Sequence, residues 1–381
     1  MKLKKIPIFI LIICLCFLPI KVFAASPEAT LYIDGVFSAT YPSVGDAVAA
    51  YNAAPPGTDF VIEVAAGTVS DAVGIIQQPN KNLVLRPQPG ATVTFTNTIT
   101  IDGNGNLNNP ETLLIEGFIF DFSDPATPAE CINIGKVTVN ANHTYAHNVT
   151  INGCTFIGRY DQVVALQSIS APYSGMKNIS IMNSTATDMH SLAQLKAASG
   201  YVFIQNCTLT NTSEGVNIFG TADLFVDSCN FEVTGYAVRS GQTGSPIVAD
   251  GSININNSVL TSSSVDRGTV VLRSGPSNIN IIHSNLTNTA GGPVIENTNA
   301  AQDQYVIDIV ETNLDGGIVD IDPATIRIID APNVENGPIS VTIINGSSVL
   351  VTILIVINIV LIVLLFFFAA ALYNALRRRN T

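Results

Sequence analysis

The chain has 381 residues, of which 47% are hydrophobic and only 12% are charged, well below the quarter that is usual in soluble globular proteins. This shortage of charge predicts apolar segments at the ends and an uncharged middle. Residues 25–349 hold 10 basic and 29 acidic groups, a net charge of −19. A surface this acidic repels phosphate backbones, which excludes nucleic acid as a partner but leaves free cations and basic partners open.

Residues 1–24 have the pattern of a secretory signal peptide. Three lysines precede an apolar stretch over residues 6–20, and Val22-Phe23-Ala24 forms a cleavage site with small residues. We therefore expect the mature chain to begin at Ala25. An uncleaved membrane anchor is the alternative, and it is disfavoured because two prolines and Lys21 interrupt the apolar stretch.

One short pattern recurs along the middle of the chain. It consists of a β-branched residue, two polar or small residues, a small residue, one further position and then Phe or Leu. Its copies are Ile151–Phe156, Ile204–Leu209, Val226–Phe231, Ile255–Leu260 and Ile281–Leu286, with weaker ones from Ile115, Ile181 and Ile309. Together with strands around Ile62 and Leu85, the first residues of these copies recur at intervals of 22 to 36 residues.

Each copy predicts a strand, a corner and a second strand. The corners suit Asn and Gly because both tolerate a left-handed backbone. One such unit cannot bury its own apolar face, but stacked units bury a continuous one at the ~4.8 Å strand spacing. The pattern therefore predicts an all-β solenoid of parallel strands with about ten or more coils. Helical repeats are poor alternatives, since the runs are β-branched and show no helical periodicity.

The C-terminal region predicts a membrane anchor. Val349–Leu372 contains 24 residues with only Thr352 and Asn358 polar, enough to cross the ~30 Å hydrocarbon core as a helix. Three arginines at 377–379 follow, and the positive-inside rule places such a cluster in the cytoplasm. We therefore expect an extracellular domain over 25–342, a transmembrane helix over 349–372 and a short basic tail over 373–381, on a cell surface or a virion envelope.

The repeats resemble the right-handed parallel β-helix of the pectate-lyase-like superfamily. Tyr41–Ala50 and Phe60–Val69 are similar to the start of that fold, where a short amphipathic helix caps the first coil and a strand and a Gly turn follow. Such a cap covers the core and the unpaired sheet edge of the first coil. The resemblance covers residues from about 30 to 330. Anchored, acidic β-helices of this form also resemble adhesin-like surface proteins of archaea and bacteria and some viral surface proteins.

The resemblance implies enzymes that act on polysaccharides, and the most specific comparison is with pectin methylesterases. Their nucleophile is an Asp in a Gly-x-x-Asp-Phe-Ile-Phe-Gly strand, with a second Asp, a Gln and an Arg. The corresponding stretch here is Glu214–Gly220, which has Asn217 at the position of the nucleophile. Asp188, Gln162 and Arg239 are the matches for the other three roles. An amide cannot attack an ester, so a working esterase is disfavoured.

Three acidic residues are the catalytic candidates of an enzyme interpretation: Asp188, Asp223 and Asp227. The last two are four residues apart, a spacing that places both on one face of an extended strand. Solvated outward carboxylates are the competing interpretation, which we favour. We therefore predict no catalytic residues unless these three act.

Two weak metal patterns occur. His143 and His147 share an even spacing but have no Cys or clear carboxylate beside them, so a zinc site is disfavoured. Asp315-Gly316-Gly317, followed by Asp320 and Asp322, is faintly similar to the Ca²⁺-binding repeats of other β-solenoids. An ordinary corner and an acidic strand are the favoured interpretation, so we expect no cofactor, with Ca²⁺ as the weaker alternative.

Four cysteines remain after removal of the signal peptide: Cys131, Cys154, Cys207 and Cys229. Three of them occupy the small position of the repeat, which holds serine in other copies, and this predicts core residues in a tight column. Cys207 and Cys229 are expected in neighbouring coils. A disulfide between them is permitted by the secretory route but disfavoured by the geometry of parallel strands.

Asn-x-Ser/Thr sequons are typical of a glycosylated surface protein. The candidate acceptors are Asn142, Asn148, Asn178, Asn183, Asn211, Asn256, Asn285 and Asn345, whereas Asn206 lies at a corner that is poorly suited to modification. The competing explanation is composition, because Asn corners followed by Ser or Thr produce sequons by chance.

Two functions remain. The first is a membrane-anchored, surface-displayed β-helix that acts without catalysis as an adhesin-like, binding or structural coat component. An extracellular glycan or a surface protein is its candidate partner, and an oligomer is open. The second is a polysaccharide lyase, esterase or glycoside hydrolase. Outward carboxylates gathered in one groove with Arg or Lys would favour the enzyme, and their dispersal would favour the adhesin-like protein. The absence of Trp also disfavours a sugar cleft, because such clefts rely on aromatic platforms.

Overall fold

The chain forms an all-β parallel β-solenoid of about eight turns with one helix. The structure, a computed structural model, describes residues 26–78, 80–103, 112–135, 144–168, 174–220, 222–241, 251–273, 278–298, 306–319, 321, 326–329 and 343–344. The predicted parallel solenoid is thus confirmed. The sequence predicted about ten or more coils, whereas the structure shows about eight turns.

The predicted ends of the chain are not part of the described structure. The signal peptide over 1–24, the membrane helix over 349–372 and the tail over 373–381 all lie outside the described residues. Within the ranges given above, no helix combines the length and the apolar character needed to span a bilayer. The membrane topology therefore stays a prediction.

The strands form three faces. The first face consists of β1 (Ala29–Ile33), β2 (Val36–Tyr41), β3 (Asp59–Val64), β6 (Asn82–Pro87), β9 (Leu113–Glu116), β12 (Thr144–Asn152), β15 (Ser174–Met182), the second half of β17 (Ser191–Gln205), β20 (Asp223–Asp227), β23 (Ser252–Asn256), β26 (Asn278–Ile282), β29 (Val306–Val310), β32 (Ile326–Ile329) and β33 (Ile343–Ile344). The second face consists of β4 (Gly67–Val69), β7 (Val93–Phe95), β10 (Ile119–Asp121), β13 (Thr155–Ile157), β16 (Thr185–Thr187), β18 (Thr208–Thr212), β21 (Asn230–Val233), β24 (Val259–Ser262), β27 (Asn285–Asn288) and β30 (Asn313–Asp315).

The third face contains the remaining strands. They are β5 (Val73–Ile76), β8 (Ile99–Asp102), β11 (Glu130–Ile134), β14 (Val164–Ser168), the first half of β17, β19 (Glu214–Gly220), β22 (Val238–Ser240), β25 (Val270–Leu272), β28 (Ile295–Asn297) and β31 (Ile318–Val319). The pairing between coils is parallel, except at β1, which pairs antiparallel with β2 and β3. Because β17 runs through both, the first and third faces belong to one sheet.

The predicted repeat positions form one ladder on the first face. In register, the ladder runs through Ile62, Leu85, Ile115, Ile151, Ile181, Ile204, Val226, Ile255, Ile281, Ile309 and Ile328. Each of these side chains is fully buried. The second face contributes Phe95, Phe120 and Phe156, whose rings stack with centroids 5.3 and 5.0 Å apart. Like residues thus lie over like residues along the core.

The corner between the first and second faces uses the left-handed backbone that was predicted for it. Gly153, Asn183, Asn206 and Asn257 all have φ between 50° and 61° there. The amides also bond from coil to coil, as in the 2.8 Å hydrogen bond from Asn206 Nδ2 to Asn183 Oδ1. The corner sequence therefore reflects both a backbone requirement and an external amide ladder.

The small position after each corner forms an internal polar column. Ser258 Oγ donates to Asn256 O at 2.7 Å and accepts from the Cys229 amide at 3.1 Å. Cys154, Cys207 and Cys229 occupy the same position, and all four cysteines of the described chain are buried and free. The disulfide between Cys207 and Cys229 is not formed. Burial raises the pKa of the Cys154 thiol to about 12, so this sulfur is protonated at neutral pH.

A capping helix covers the first turn, as predicted. Helix α1 (Val44–Ala53) is capped at its N-terminus by Ser43, whose side chain accepts a hydrogen bond from the Asp46 amide, and it packs against β3 and β5. Behind its C-terminal end lies the fully buried Lys81, whose Nζ donates to Tyr51 O and Ala54 O. This ammonium also lies 4.5 Å from the centre of the Tyr51 ring. Lys81 thus satisfies the last carbonyls of the helix.

Candidate functional site

The three predicted acidic candidates lie apart from one another. Asp188 follows β16 at a corner with φ of 55°, and its carboxylate accepts a hydrogen bond from Asn211 Nδ2. Asp223 and Asp227 lie at the two ends of β20, separated by four residues, or roughly 13 Å of extended strand. The outward direction expected for this pair agrees with their half-buried positions. They do not form a close carboxylate pair.

Both carboxylates of β20 accept hydrogen bonds from neighbouring coils. Asp223 Oδ1 accepts from the amide and the hydroxyl of Ser252, both at 2.8 Å. Asp227 accepts from Gln205 Nε2 and from Asn257 Nδ2, both at 3.1 Å. These bonds connect three successive coils on the outer surface of the first face. The two residues are therefore well placed to stabilise the stack.

A different set of polar residues lies together on the outer side of the third face. We call it the polar cluster, and it consists of Asp161, His190, Glu214, Asn217, Tyr236 and Arg239. Its residues precede or belong to four successive third-face strands, β14, β17, β19 and β22. Except for Asn217 and Arg239, which entered only through the esterase comparison, these residues were not predicted.

Strand register brings the cluster together. On the outward side of the third face, Gln194, Asn217 and Arg239 are in-register neighbours. At the corner before these strands, the Glu214 amide donates to His190 O at 2.7 Å, which stacks the two residues. The amide of Gly215 donates to Tyr236 O at 2.9 Å and adds the next coil. Each coil therefore contributes one polar side chain at the corner, and the coils of β19 and β22 each add one on the strand.

His190 lies between two carboxylates. Its Nδ1 is 2.8 Å from Asp161 Oδ1, and its Nε2 is 3.6 Å from Glu214 Oε2. Hydrogen bonds from His190 and from Ser213 lower the pKa of Asp161. The imidazole thus connects the exposed Asp161 with the half-buried Glu214 across neighbouring coils.

Tyr236 and Arg239 form the inner wall of the cluster. Tyr236 is 4% exposed, and its hydroxyl accepts from Asn217 Nδ2 at 3.1 Å. Burial, and then the nearby Glu214 carboxylate, raise the pKa of Tyr236, so the phenol keeps its proton at neutral pH. The Arg239 guanidinium lies 4.4 Å from the Tyr236 ring centre and 5.7 Å from that of Phe219. The two rings fix its position.

Three buried polar atoms of the cluster lack hydrogen-bond partners among the described residues. They are Glu214 Oε2, Asn217 Oδ1 and Arg239 Nε. A buried polar atom left without a partner costs about 1–3 kcal/mol, so folded proteins hold few of them. These two acceptors and one donor leave hydrogen-bonding capacity that water or a polar group of a ligand can complete.

A loop over residues 158–163 forms the outer wall. The Arg159 guanidinium holds this loop, donating to Phe122 O at 2.7 Å and to Asp124 O at 2.5 Å. Tyr160 Oη shares a 2.5 Å hydrogen bond with Thr234 Oγ1, so the residue reaches along the solenoid past the intervening coils. Its side chain is still 43% exposed. An accessible aromatic ring thus lies beside the polar groups.

Positive charge collects next to the cluster. Arg267 and Arg273 lie near enough to Arg239 to lower its pKa, although burial is the larger cause of that decrease. Arg267 Nη1 is 3.8 Å from Glu296 Oε1, whereas Arg239 has no carboxylate within 4 Å in the described part of the chain. Three of the ten basic residues of 25–349 therefore lie together in an otherwise acidic molecule.

The structure agrees with the esterase comparison at one pair of positions. Asn217 and Arg239 are adjacent in register, as a strand residue and its neighbouring Arg would need to be. Gln162 instead accepts from Arg159 Nε at 3.1 Å within the loop, and Asp188 lies at the corner after β16. The position of the nucleophile is an amide, so the cluster offers no attacking carboxylate there.

The predicted metal patterns are only partly described. His143, Asp320 and Asp322 lie outside the described residues, and the side chain of His147 is also outside them. Asp315 is an exposed residue of β30. In the described ranges, no three His, Cys, Asp or Glu side chains are grouped as metal ligands.

The predicted glycosylation sites differ in accessibility. Asn183 and Asn211 are exposed, whereas Asn148, Asn178, Asn256 and Asn285 are half-buried on the outer surface. Asn206, judged poorly suited from the sequence, is exposed at its corner. Asn142 and Asn345 lie outside the described residues. Modification at these sites stays a prediction.

Comparison with known proteins gives no relative. Neither protein-family models, nor curated proteins, nor solved structures match this chain. The function must therefore be inferred from the fold and from the polar cluster.

Proposed function

We propose that this protein is a surface-displayed, membrane-anchored β-solenoid of the adhesin-like kind that binds an extracellular glycan at the polar cluster without turnover. The observation that carries the proposal is a set of buried atoms without a hydrogen-bond partner among the described residues. They are Asn217 Oδ1, Arg239 Nε and Glu214 Oε2, the last of which lies 3.6 Å from His190 Nε2. A ligand that binds there must both donate and accept hydrogen bonds within a small volume. Sugar hydroxyl groups do both.

Two neighbouring features favour a sugar over another polar molecule. The exposed ring of Tyr160 supplies an apolar surface beside the polar groups, which suits the face of a pyranose. The guanidinium of Arg239 suits a carboxylate on an acidic sugar, because guanidinium and carboxylate pair with two parallel hydrogen bonds. Arg267 and Arg273 reinforce this preference by their charge.

Binding without catalysis is supported by the chemistry of the cluster. Asn217 takes the place of the nucleophile in the esterase comparison. The raised pKa of Tyr236 keeps its phenol protonated, so that it acts as a hydrogen-bond donor and not as a base. Display outside the cell, the right-handed coil and the anchor rest on the terminal segments and on the resemblance of the repeats.

One observation favours the enzyme as a second candidate function. Asp161 and Glu214 both contact His190 close to Arg239, which gathers outward carboxylates with an arginine on one surface. Paired carboxylates are the groups that glycoside hydrolysis uses. A polysaccharide hydrolase or lyase acting at this cluster is therefore the alternative.

The test is a binding and turnover screen of the full-length protein in detergent micelles. Polygalacturonate, alginate, xylan and galactomannan are each immobilised, with and without Ca²⁺, and both retention and released products are measured. We expect retention of at least one polysaccharide with no new reducing ends, unsaturated products or methanol. Released products would establish the enzyme instead, and no retention on any polymer would contradict glycan binding.

A further inference from the structure

A row of outward aromatic residues lies on the first face, around the corner from the polar cluster. We call it the aromatic ladder, and it consists of Tyr201 and Phe203 on β17 and Phe225 on β20. Phe203 and Phe225 are in register, with ring centres 6.1 Å apart. Tyr201 is 41% exposed, and both phenylalanines are half-buried. Exposing apolar aromatic surface to water is unfavourable, so the position of three aromatic side chains on the outside of the sheet needs an explanation.

The backbone joins this ladder to the polar cluster directly. Strand β17 passes through the corner from the third face to the first face without an intervening loop. It includes both Gln194, which is in register with Asn217 of the cluster, and Tyr201 of the ladder. Between β19 and β20 the connection is two residues, whereas it is five residues between β14 and β15 and eleven between β22 and β23. Phe219, which contacts Arg239, precedes this corner. Aromatic surface therefore continues from the cluster to the ladder.

We propose that the aromatic ladder is a second sugar subsite, which stacks on one ring of a polysaccharide chain whose other end occupies the polar cluster. This rests on the proposed function and makes it more specific. Asn217 and Phe225 are eight residues apart along the chain and lie on adjacent faces joined by one corner, so the path between them is at most roughly 26 Å. A ligand that reaches both sites is then a chain of several sugar units.

The surroundings of the ladder suit a sugar better than a protein. In register, Ser180 precedes Phe203 and Asn254 follows Phe225, so hydroxyl and amide groups border the rings on both sides. Sugar rings need this combination of an apolar face and polar edges. A second copy of the chain is the competing occupant. Three partly exposed rings supply far less than the ~800 Å² that each partner buries in a stable protein interface.

Since the protein contains no Trp, a single introduced Trp gives a specific signal. Tyr201→Trp places it in the ladder. Val306→Trp is the matched control, since Val306 is also 41% exposed on the first face but lies three strands further along it, on β29. Fluorescence is recorded with chains of two and of about ten sugars from each polymer that retains the unmodified protein.

We expect the ten-sugar chain to change the emission of Tyr201→Trp, the two-sugar chain to leave it unchanged, and Val306→Trp to respond to neither. Phe225→Ser should weaken retention of the long chain about fivefold to tenfold, the value of one aromatic contact. A silent Tyr201→Trp with normal retention of the unmodified protein would overturn the ladder subsite alone. A signal that depends on protein concentration without sugar would show self-association and also overturn it. If the unmodified protein is not retained on any polymer, the proposed function fails as well.

Discussion

Gly215 shows how closely the coils approach at the corner where the polar cluster forms. A Cβ built on it would lie 2.1 Å from Ala237 O, closer than side-chain atoms come to a carbonyl. Only glycine therefore allows the Gly215 amide to reach Tyr236 O. The same residue places its neighbour Glu214 at the level of His190. The position of the cluster thus depends on the absence of a Cβ atom at residue 215.

We expect Gly215→Ala to lower the free energy of unfolding by about 3 kcal/mol or more, because neither backbone can move without breaking interstrand hydrogen bonds. Urea unfolding followed by circular dichroism measures this. The control is Gly45→Ala in α1, where the new Cβ is 3.7 Å from Ser43 Oγ and meets only ordinary contact. It should raise stability by about 0.5–1 kcal/mol through helix propensity. Equal effects would contradict the close approach.

The two neighbouring thiols provide a second test at this scale. Cys229 Sγ contacts Asp227 O at 3.3 Å, in the way that Ser284 Oγ contacts Ile282 O at 2.8 Å in its own coil. The double substitution of Cys207→Ser and Cys229→Ser should therefore change stability by less than about 1 kcal/mol. A loss of 2–4 kcal/mol, together with a mass change on reduction of the unmodified protein, would instead indicate a disulfide.

Among the elements of the fold, the corner between the first and second faces is the most regular. Its left-handed position is Gly or Asn in several coils, but Ser228 occupies it with φ of 55°, His283 with φ of 50° and Glu311 with φ of 46°. An ordinary residue there costs about 1–2 kcal/mol relative to glycine in backbone energy, part of which glycine loses again in entropy. The backbone of the corner is therefore under mild strain in these three coils.

Ser228→Gly should raise the free energy of unfolding by about 0.5–1 kcal/mol, since glycine relieves the left-handed strain and the side chain of Ser228 is exposed. Ser228→Val is the matched control, and it should lower stability by more than 1 kcal/mol because a β-branched residue tolerates this conformation worst. Thermal unfolding of both variants provides the measurement. If Ser228→Gly is less stable than the unmodified protein, this contradicts backbone strain at residue 228.

The coil elements could be predicted because their signal is periodic. Every predicted first position of the repeat lies in the buried ladder, since a residue type that recurs once per coil must stack on itself.

The polar cluster gave a weaker signal in the sequence. Gln194, Asn217 and Arg239 recur at 23 and 22 residues, the same intervals as Ile181, Ile204 and Val226, and this match predicts one column. The repeat pattern is defined around the corner between the first and second faces, and these three residues lie far from that corner in sequence, so the repeat pattern does not include them.

The rest of the cluster could not be read from the sequence. His190, Glu214 and Tyr236 lie at a corner, where side-chain direction does not follow the alternation of a strand. Asp161 joins them through a loop whose position depends on carbonyls around Phe122 and Asp124. Such contacts between loops have no periodicity. The acidic residues that the sequence did offer, Asp223 and Asp227, instead bond to neighbouring coils.

At the scale of the whole molecule, a solenoid confines the effect of a change to neighbouring coils. The capping helix and Lys81 lie at one end, several coils from Arg239, so a substitution in the cluster leaves the cap intact. The cluster is also the place where arginines collect in a chain with a net charge of −19 over residues 25–349. Glycan binding at the cluster is therefore testable by a variant that removes its central charge.

The most direct measurement compares the retention of two arginine variants of the full-length protein on the polysaccharide panel. Arg239→Gln removes the guanidinium held between Tyr236 and Phe219, whereas Arg86→Gln removes an outer-face arginine paired with Glu63 at 2.8 Å near the cap. We predict that Arg239→Gln loses at least tenfold in affinity while its circular dichroism is unchanged, and that Arg86→Gln binds like the unmodified protein. Equal retention of both variants would contradict a glycan site at the polar cluster.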